Sequence, residues 1–122
     1  TTPQDLALLD ARKGIEMFNK VNVPVLGVVE NMSTHVCSQC NHEEAIFGAG
    51  GGESLAQQYG TKLLASLPLS MDIRLQVDGG TPTVVSEPES KATKTYSNLA
   101  AALVRQLDNT SHSMPNISVD EE

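Results

Sequence analysis

Residues 23–31 read VPVLGVVEN, an apolar, valine-rich run bounded by Pro24 and Asn31. Apolar and polar residues do not alternate in it, which suits a strand buried on both faces, as in a parallel sheet. A second apolar run, KLLASLPL, begins at Lys62. Between the two lies GGESLAQQYG, in which Leu55, Ala56 and Tyr59 share a helical face and Gly60 supplies a C-terminal stop. Strand, loop, helix and strand make one crossover unit, which should be right-handed. The chain therefore reads as α/β, with parallel strands alternating with helices.

The flanking segments fit that class. Leu8, Ala11, Ile15 and Phe18 recur at helical spacing, so Pro3 to about Lys20 reads as an amphipathic helix with Thr2 as N-cap and Gly14 as its weak point. SMDIRLQVDGGTP reads as a short helix ending at Gly79 and Gly80, and TVV after it as a short extended piece. Ser90 is placed to cap a last helix, in which Ala92, Tyr96, Leu99, Leu103 and Leu107 form one stripe. Beyond Leu107 the periodicity stops. Residues 108–122 contain four acidic residues, no Lys or Arg and little to bury, so a disordered acidic tail is expected after a folded portion of residues 1–107.

Charge and composition narrow the partners. The formal net charge is -7, no basic run interrupts it, and the chain has two Phe, two Tyr and no Trp. Nucleic acid and anionic membrane surfaces are poor matches for such a surface. No apolar stretch approaches the roughly 20 residues that span a bilayer, and no secretory leader pattern opens the chain. A cytoplasmic protein is the resulting expectation.

The stretch from Glu30 to Leu55 holds both cysteines, two histidines and a glycine cluster. Cys37 and Cys40 are separated by two residues, so a tight turn can point both sulfurs at one ion. Two ligands do not complete a zinc site or an iron-sulfur site. The missing ligands could come from a second chain, which would supply the pair twice, or from His35 and His42, two residues outside each cysteine. A dithiol redox pair and a plain turn are the other readings. The glycines of GAGGGES precede a helix but are not followed by the Lys and Ser/Thr of a Walker A loop, so a structural role in a sharp reversal is favoured over phosphate binding.

Taken together, TTPQDLALLDARKGIEMF, VNVPVLGVVENMS, the Cys37 and Cys40 pair, IFGAGGGESLA, LPLSMDIR and GTPTVVSEPES resemble the Mrp/ApbC family in order and spacing. These are cytosolic P-loop ATPases that carry iron-sulfur clusters, related to MinD and to the nitrogenase iron protein. The resemblance runs from Thr1 to about Leu107. It implies the C-terminal part of a parallel-sheet, MinD-like P-loop domain, without the N-terminal half that holds the Walker A loop and the Mg-binding and water-positioning aspartates.

The resemblance also implies roles. Cys37 and Cys40 match the pair that, with its copy from a second subunit, holds a bridging 4Fe-4S cluster. Asn31 matches the asparagine that recognises adenine, and Pro68 and Asp72 match the segment lining the other side of the base. The strand-end position of Asn31 suits a ligand site in an open parallel sheet. His35 and His42 are not ligands in that pattern. The implied protein is a homodimeric carrier that transfers its cluster to apo iron-sulfur proteins in a cycle using ATP and Mg. This chain alone would be unable to hydrolyse ATP. Unpaired strand edges, thinly covered apolar helix faces and a poorly ordered cysteine loop are further expectations. The competing class is a structural zinc-binding or interaction module using Cys37, Cys40, His35 and His42.

Overall fold

A computed structural model describes residues 1–108. The expected tail from residue 109 onward lies outside the described residues, while Asp108 is the last residue of a helix.

The chain opens extended. The Thr1 nitrogen donates to the Val29 carbonyl (3.0 Å), and the Asn31 N–H donates back to the Thr1 carbonyl (2.7 Å). This pairing draws Thr2 and Pro3 away from helical geometry, so α1 runs Asp5–Lys20 with Gln4, not Thr2, at its N-cap. Leu8 and Ile15 of α1 are buried.

The buried strand is shorter than the apolar run suggests. β1 covers Val28–Glu30, and its partner β4 covers Leu63–Ser66 in parallel. Pairing begins where the Val28 N–H meets the Lys62 carbonyl (2.8 Å), after the chain has turned at Gly60 (φ 64). Gly27 stands just before that point, and a Cβ there would lie 2.5 Å from the Leu64 side chain. Among the described residues this sheet has two strands, and β1 meets only Thr1 on its other edge.

Helix α2, Gly51–Gln58, makes the crossover and carries Leu55 and Ala56, each 1% exposed. These pack with Leu8, Ile15 and Val28 into the core, with Tyr59 and Leu63 against its margin. Tyr59 also donates its hydroxyl to Glu16 of α1 (2.9 Å), and that bond is the main cause holding its pKa above the ordinary tyrosine range.

Two short strands, β2 (His35–Val36) and β3 (Glu43–Glu44), lie between β1 and α2 as an antiparallel pair. After β4 come α3 (Met71–Asp78), α4 (Thr83–Ser86) and α5 (Lys91–Asp108). The TVV segment is helical, not extended. Val84 and Val85 have no sheet to join and remain 44% and 65% exposed, while Thr83 is buried. The turn is closed from Pro82, whose carbonyl accepts the Val85 N–H (2.8 Å) and the Ser86 N–H (3.0 Å). Ser90 does cap α5, its hydroxyl accepting the Thr93 N–H (3.1 Å). The stripe of α5 is half-buried from Ala92 to Leu103, and Leu107 is exposed.

Two glycines with opposite surroundings test this packing. A Cβ at Gly14, inside α1, meets nothing within 4 Å. Gly14→Ala should therefore stabilise this chain by about 0.5–1 kcal/mol through helix propensity. At Gly52 a Cβ would sit 2.9 Å from both Cβ and Oε2 of Glu30. Gly52→Ala should cost about 1–3 kcal/mol by overpacking. Urea denaturation followed by circular dichroism reads both signs.

Candidate functional site

The cysteines occupy the turn of the β2–β3 hairpin, in place of the poorly ordered loop expected from sequence. His35 faces Glu44 and Val36 faces Glu43 across the pair. Beyond Val36 the Cys37 N–H donates to the His42 carbonyl (3.0 Å), and the Asn41 N–H donates to the Cys37 carbonyl (2.9 Å). Asn41 adopts φ 57, a left-handed conformation that asparagine tolerates better than most residues. Cys37 and Cys40 thus sit in one closed turn, both as free thiols, Cys37 half-buried and Cys40 exposed.

The turn tunes Cys37. Its pKa lies below the ordinary thiol value, first because the Gln39 N–H donates to the sulfur, then because of the Cys40 N–H and the Cys40 thiol. Burial and the nearby Glu44 carboxylate oppose this. Backbone donors favour the thiolate, which is the form that binds metal and attacks electrophiles.

The histidines do not join the cysteines. Among the described residues no group of three or more His, Cys, Asp and Glu side chains could hold a metal ion, so a two-Cys, two-His site is not assembled in this chain. His35 Nδ1 lies 3.8 Å from Glu44 Oε1 and has no hydrogen-bond partner. His42 is exposed and serves the hairpin through its carbonyl. The donor set is therefore two thiols at an exposed tip, a fit for half of a four-thiolate set.

The three residues assigned to a base lie at the carboxyl end of the parallel pair. Asn31 directly follows β1 and is exposed; its Oδ1 accepts the Met32 N–H (2.9 Å), where Met32 takes φ 54. Pro68 and Asp72 line a cavity of about 550 Å³, between the hairpin and the start of α5. Asn31 is not part of that lining, although Ser33 two residues on is.

The glycines act on the backbone. Gly48 and Gly50 have φ 94 and 76, and Gly51 and Gly52 bring the first turn of α2 against Pro3, Leu8 and Glu30. The Gly52 N–H donates to Glu30 Oε2 (2.6 Å), so the start of this helix already has a carboxyl partner. Glu30, 5% exposed, is the residue that sequence reading passed over. Its signal was a charged side chain closing an otherwise apolar strand. The Lys91–Glu43 ion pair (2.9 Å), joining α5 to the hairpin, had no signal in local sequence.

A parallel crossover with a ligand-sized cleft beyond its strand ends makes this an α/β protein with parallel strands and helices, as expected. Solved structures agree. The cell division ATPase MinD of Pyrococcus furiosus superposes with a TM-score of 0.64 at 25% identity, over 87% of this chain and 40% of that one. A nucleotide-binding protein of Archaeoglobus fulgidus, in complex with ADP and with Co, gives 0.59 at 31% identity over 76% and 37%. The family described as the NUBPL iron-transfer P-loop NTPase (ParA) matches residues 1–104, and this chain belongs to it.

Similar relatives are the iron-sulfur cluster carrier proteins of Pseudomonas fragi, 63% identical over 88% of this chain and 37% of the relative, and of Escherichia coli K12, 59% over 88% and 29%. The mouse iron-sulfur cluster transfer protein NUBPL is 50% identical over 88% and 34%. The chain thus spans about a third of the length of these relatives. No helix among the described residues is long and apolar enough to cross a membrane.

The hairpin makes a pH-dependent expectation. Alkylation of Cys37 by iodoacetamide, followed by mass spectrometry across pH, should show a midpoint below the ordinary thiol value. Gln39→Pro removes the principal N–H donor and should move the midpoint up, slowing the reaction near neutral pH. Glu44→Gln removes an opposing charge and should move it down.

Proposed function

We propose that this chain is the cluster-carrying and base-facing portion of an iron-sulfur cluster carrier, in which Cys37 and Cys40 of two copies together hold one 4Fe-4S cluster as cargo. The observation that carries this reading is the hairpin turn, which presents two thiols at an exposed tip and favours the thiolate of Cys37 by backbone N–H donation. Names of relatives support it: cluster carrier and cluster transfer proteins align across this segment.

Cargo transfer is then an exchange of ligands. A recipient thiolate replaces Cys37 or Cys40 at iron, and the displaced thiolate takes a proton or stays ionised, with no change of oxidation state. Exposure of the tip gives an apo iron-sulfur protein access to the bonds being exchanged. Homodimerisation through this tip follows from the ligand count, since one chain supplies two of four thiolates.

The nucleotide end uses Asn31, Pro68 and Asp72. Pro68 and Asp72 wall the cavity beside the hairpin, and the Asn31 amide nitrogen is a donor at the strand end, its Oδ1 being held by Met32. ATP, with Mg on its phosphates, would supply the free energy of a load-and-release cycle; the residues that hold the phosphates are not identified in this chain. We propose the cytoplasm as the place of this activity.

Anaerobic reconstitution with iron and sulfide should give a brown species with broad charge-transfer absorption, a mass of two chains and four irons per dimer. Cys37→Ser should abolish it. A colourless monomer binding one zinc, and losing it on His35→Ala, would overturn the carrier in favour of a zinc module.

A further inference from the structure

Cys37 and Cys40 are the two cysteines of the sequence, and the fold puts both in one turn. The bond from the Asn41 N–H to the Cys37 carbonyl (2.9 Å) makes residues 37–41 a single helix-like turn. Residues three apart in such a turn share one side, with Cβ atoms about 5–6 Å apart. A disulfide needs Cα atoms roughly 4.4–6.8 Å apart, which the first and fourth residues of a tight turn satisfy. The Cys40 thiol already donates to the Cys37 sulfur, so the two sulfurs face each other.

Bringing these sulfurs into bonding distance displaces little else, because the hairpin is held from outside the turn. The Ser33 N–H donates to the Leu67 carbonyl (3.0 Å), the Leu69 N–H to the Thr34 carbonyl (2.7 Å) and the Val36 N–H to the Leu69 carbonyl (3.1 Å), while Lys91 pairs with Glu43 (2.9 Å). None of these groups belongs to residues 37–41. Closure therefore asks for side-chain rotation within the turn, and the pairing around it is kept. Cys40 is exposed, which gives a small molecule access to the tip.

We propose that the tip is a reversible dithiol–disulfide switch: a low-molecular-weight disulfide oxidises Cys37 and Cys40 to an intramolecular disulfide, and in that state the chain binds no metal. Its consequence for cargo rests on the carrier reading of the same pair. One cysteine thiolate attacks a sulfur of the small disulfide, forms a mixed disulfide and expels a small thiolate. The other cysteine, as thiolate, attacks the protein sulfur of the mixed bond and expels the second. The protein loses two S–H bonds and gains one S–S bond, while the small disulfide takes up two electrons and two protons as two thiols. Neither sulfur then has a thiolate to offer a metal. Excess thiol reverses both steps, so in a reducing compartment the closed form is transient. Metal on the pair occupies both attacking groups, so a loaded tip resists closure.

The test exposes the full chain, reduced and metal-free, to glutathione buffers of rising disulfide-to-thiol ratio, with acid quenching, alkylation and mass spectrometry. The expected product is one chain lighter by two hydrogens, its two thiols lost together and restored together by dithiothreitol. Cobalt(II) alone is the metal probe, so that no sulfide reduces the disulfide. It should give thiolate charge-transfer absorption with the reduced chain and none with the closed one. A lasting glutathione adduct, or two chains joined by a disulfide, overturns the switch. Equal cobalt binding by closed and reduced chains overturns the metal lock. A closed disulfide with no cobalt binding by the reduced chain overturns the carrier reading and leaves the closure standing.

A pair of variants tests the turn. Asn41→Gly keeps the left-handed conformation and should close as the unsubstituted chain does. Asn41→Val strains it and should lower the equilibrium constant for closure about fivefold or more. Undiminished closure in a folded Asn41→Val overturns the turn as the cause. Should this variant not fold, as circular dichroism would reveal, the unsubstituted chain decides the switch by itself.

Discussion

One hydrogen bond closes the neck of the segment that matters. Glu30 ends β1 and Gly52 lies in the first turn of α2, and the bond from the Gly52 N–H to Glu30 Oε2 (2.6 Å) ties the two ends of the excursion that contains Asn31, both cysteines and the glycine loop. A bond of this type to a carboxyl group contributes about 1–3 kcal/mol, and leaving its buried partner unmatched costs a similar amount. It also occupies the positive end of the α2 dipole. Without it, the chain between the strand and the helix would be fixed by its own short hairpin, the backbone bonds to Leu67 and Leu69 and the Lys91–Glu43 ion pair, with nothing tying its two ends together. With it, the direction in which β1 leaves the sheet is set, and so is the line along which β2 continues.

That constraint weighs heavily because the core is small. Among the described residues six hydrophobic side chains are buried, Leu8, Ile15, Val28, Leu55, Ala56 and Leu67, while Leu6, Leu9, Phe18 and Val23 stay 42–75% exposed. An isolated two-stranded sheet is marginal in water and requires a helix packed on it. Here α1 and α2 provide that cover, and Gly51 and Gly52 allow it, since side chains at either position would collide with Pro3, Leu8 or Glu30. The glycine cluster therefore serves the packing of the helix start, and the two left-handed glycines before it turn the chain back from the hairpin.

Parts of this were legible in the sequence and parts were not, for physical reasons. The helical periods of α1, α2 and α5 reflect burial of one face and were readable, as was the Ser90 cap, whose hydroxyl acts within one turn. The parallel pair was readable from two apolar runs with a helix between. The hairpin was not: strands of two residues, His35–Val36 and Glu43–Glu44, carry no alternation, and their register is set by the left-handed Asn41 and by pairing with Leu69 far along the chain. TVV was misread because β-branched residues raise strand propensity only where a sheet receives them. Thr2 was misread because Thr1 is held beside β1, a contact outside any local pattern. Within the candidate site, the cysteine pair was visible as spacing, while the backbone donors that favour the Cys37 thiolate, and the cavity joining Asn41 to Asp72, exist only once the chain is folded.

The electrostatics of the tip bear on why a carrier would be built this way. A thiolate can be favoured by a neighbouring cation, by a metal or by backbone N–H groups. A cation would remain as a competing charge when cargo leaves, and deep burial would shut out a recipient's thiol. At Cys37 the largest favourable cause is an N–H of the turn itself, and the Glu44 carboxylate acting on it is unfavourable. The turn thus favours a metal-binding sulfur while leaving Cys40 exposed, and it does so with atoms whose positions are fixed by the Cys37–His42 and Asn41–Cys37 bonds. On the proposed reading, whatever distorts those two bonds changes how well the tip holds iron.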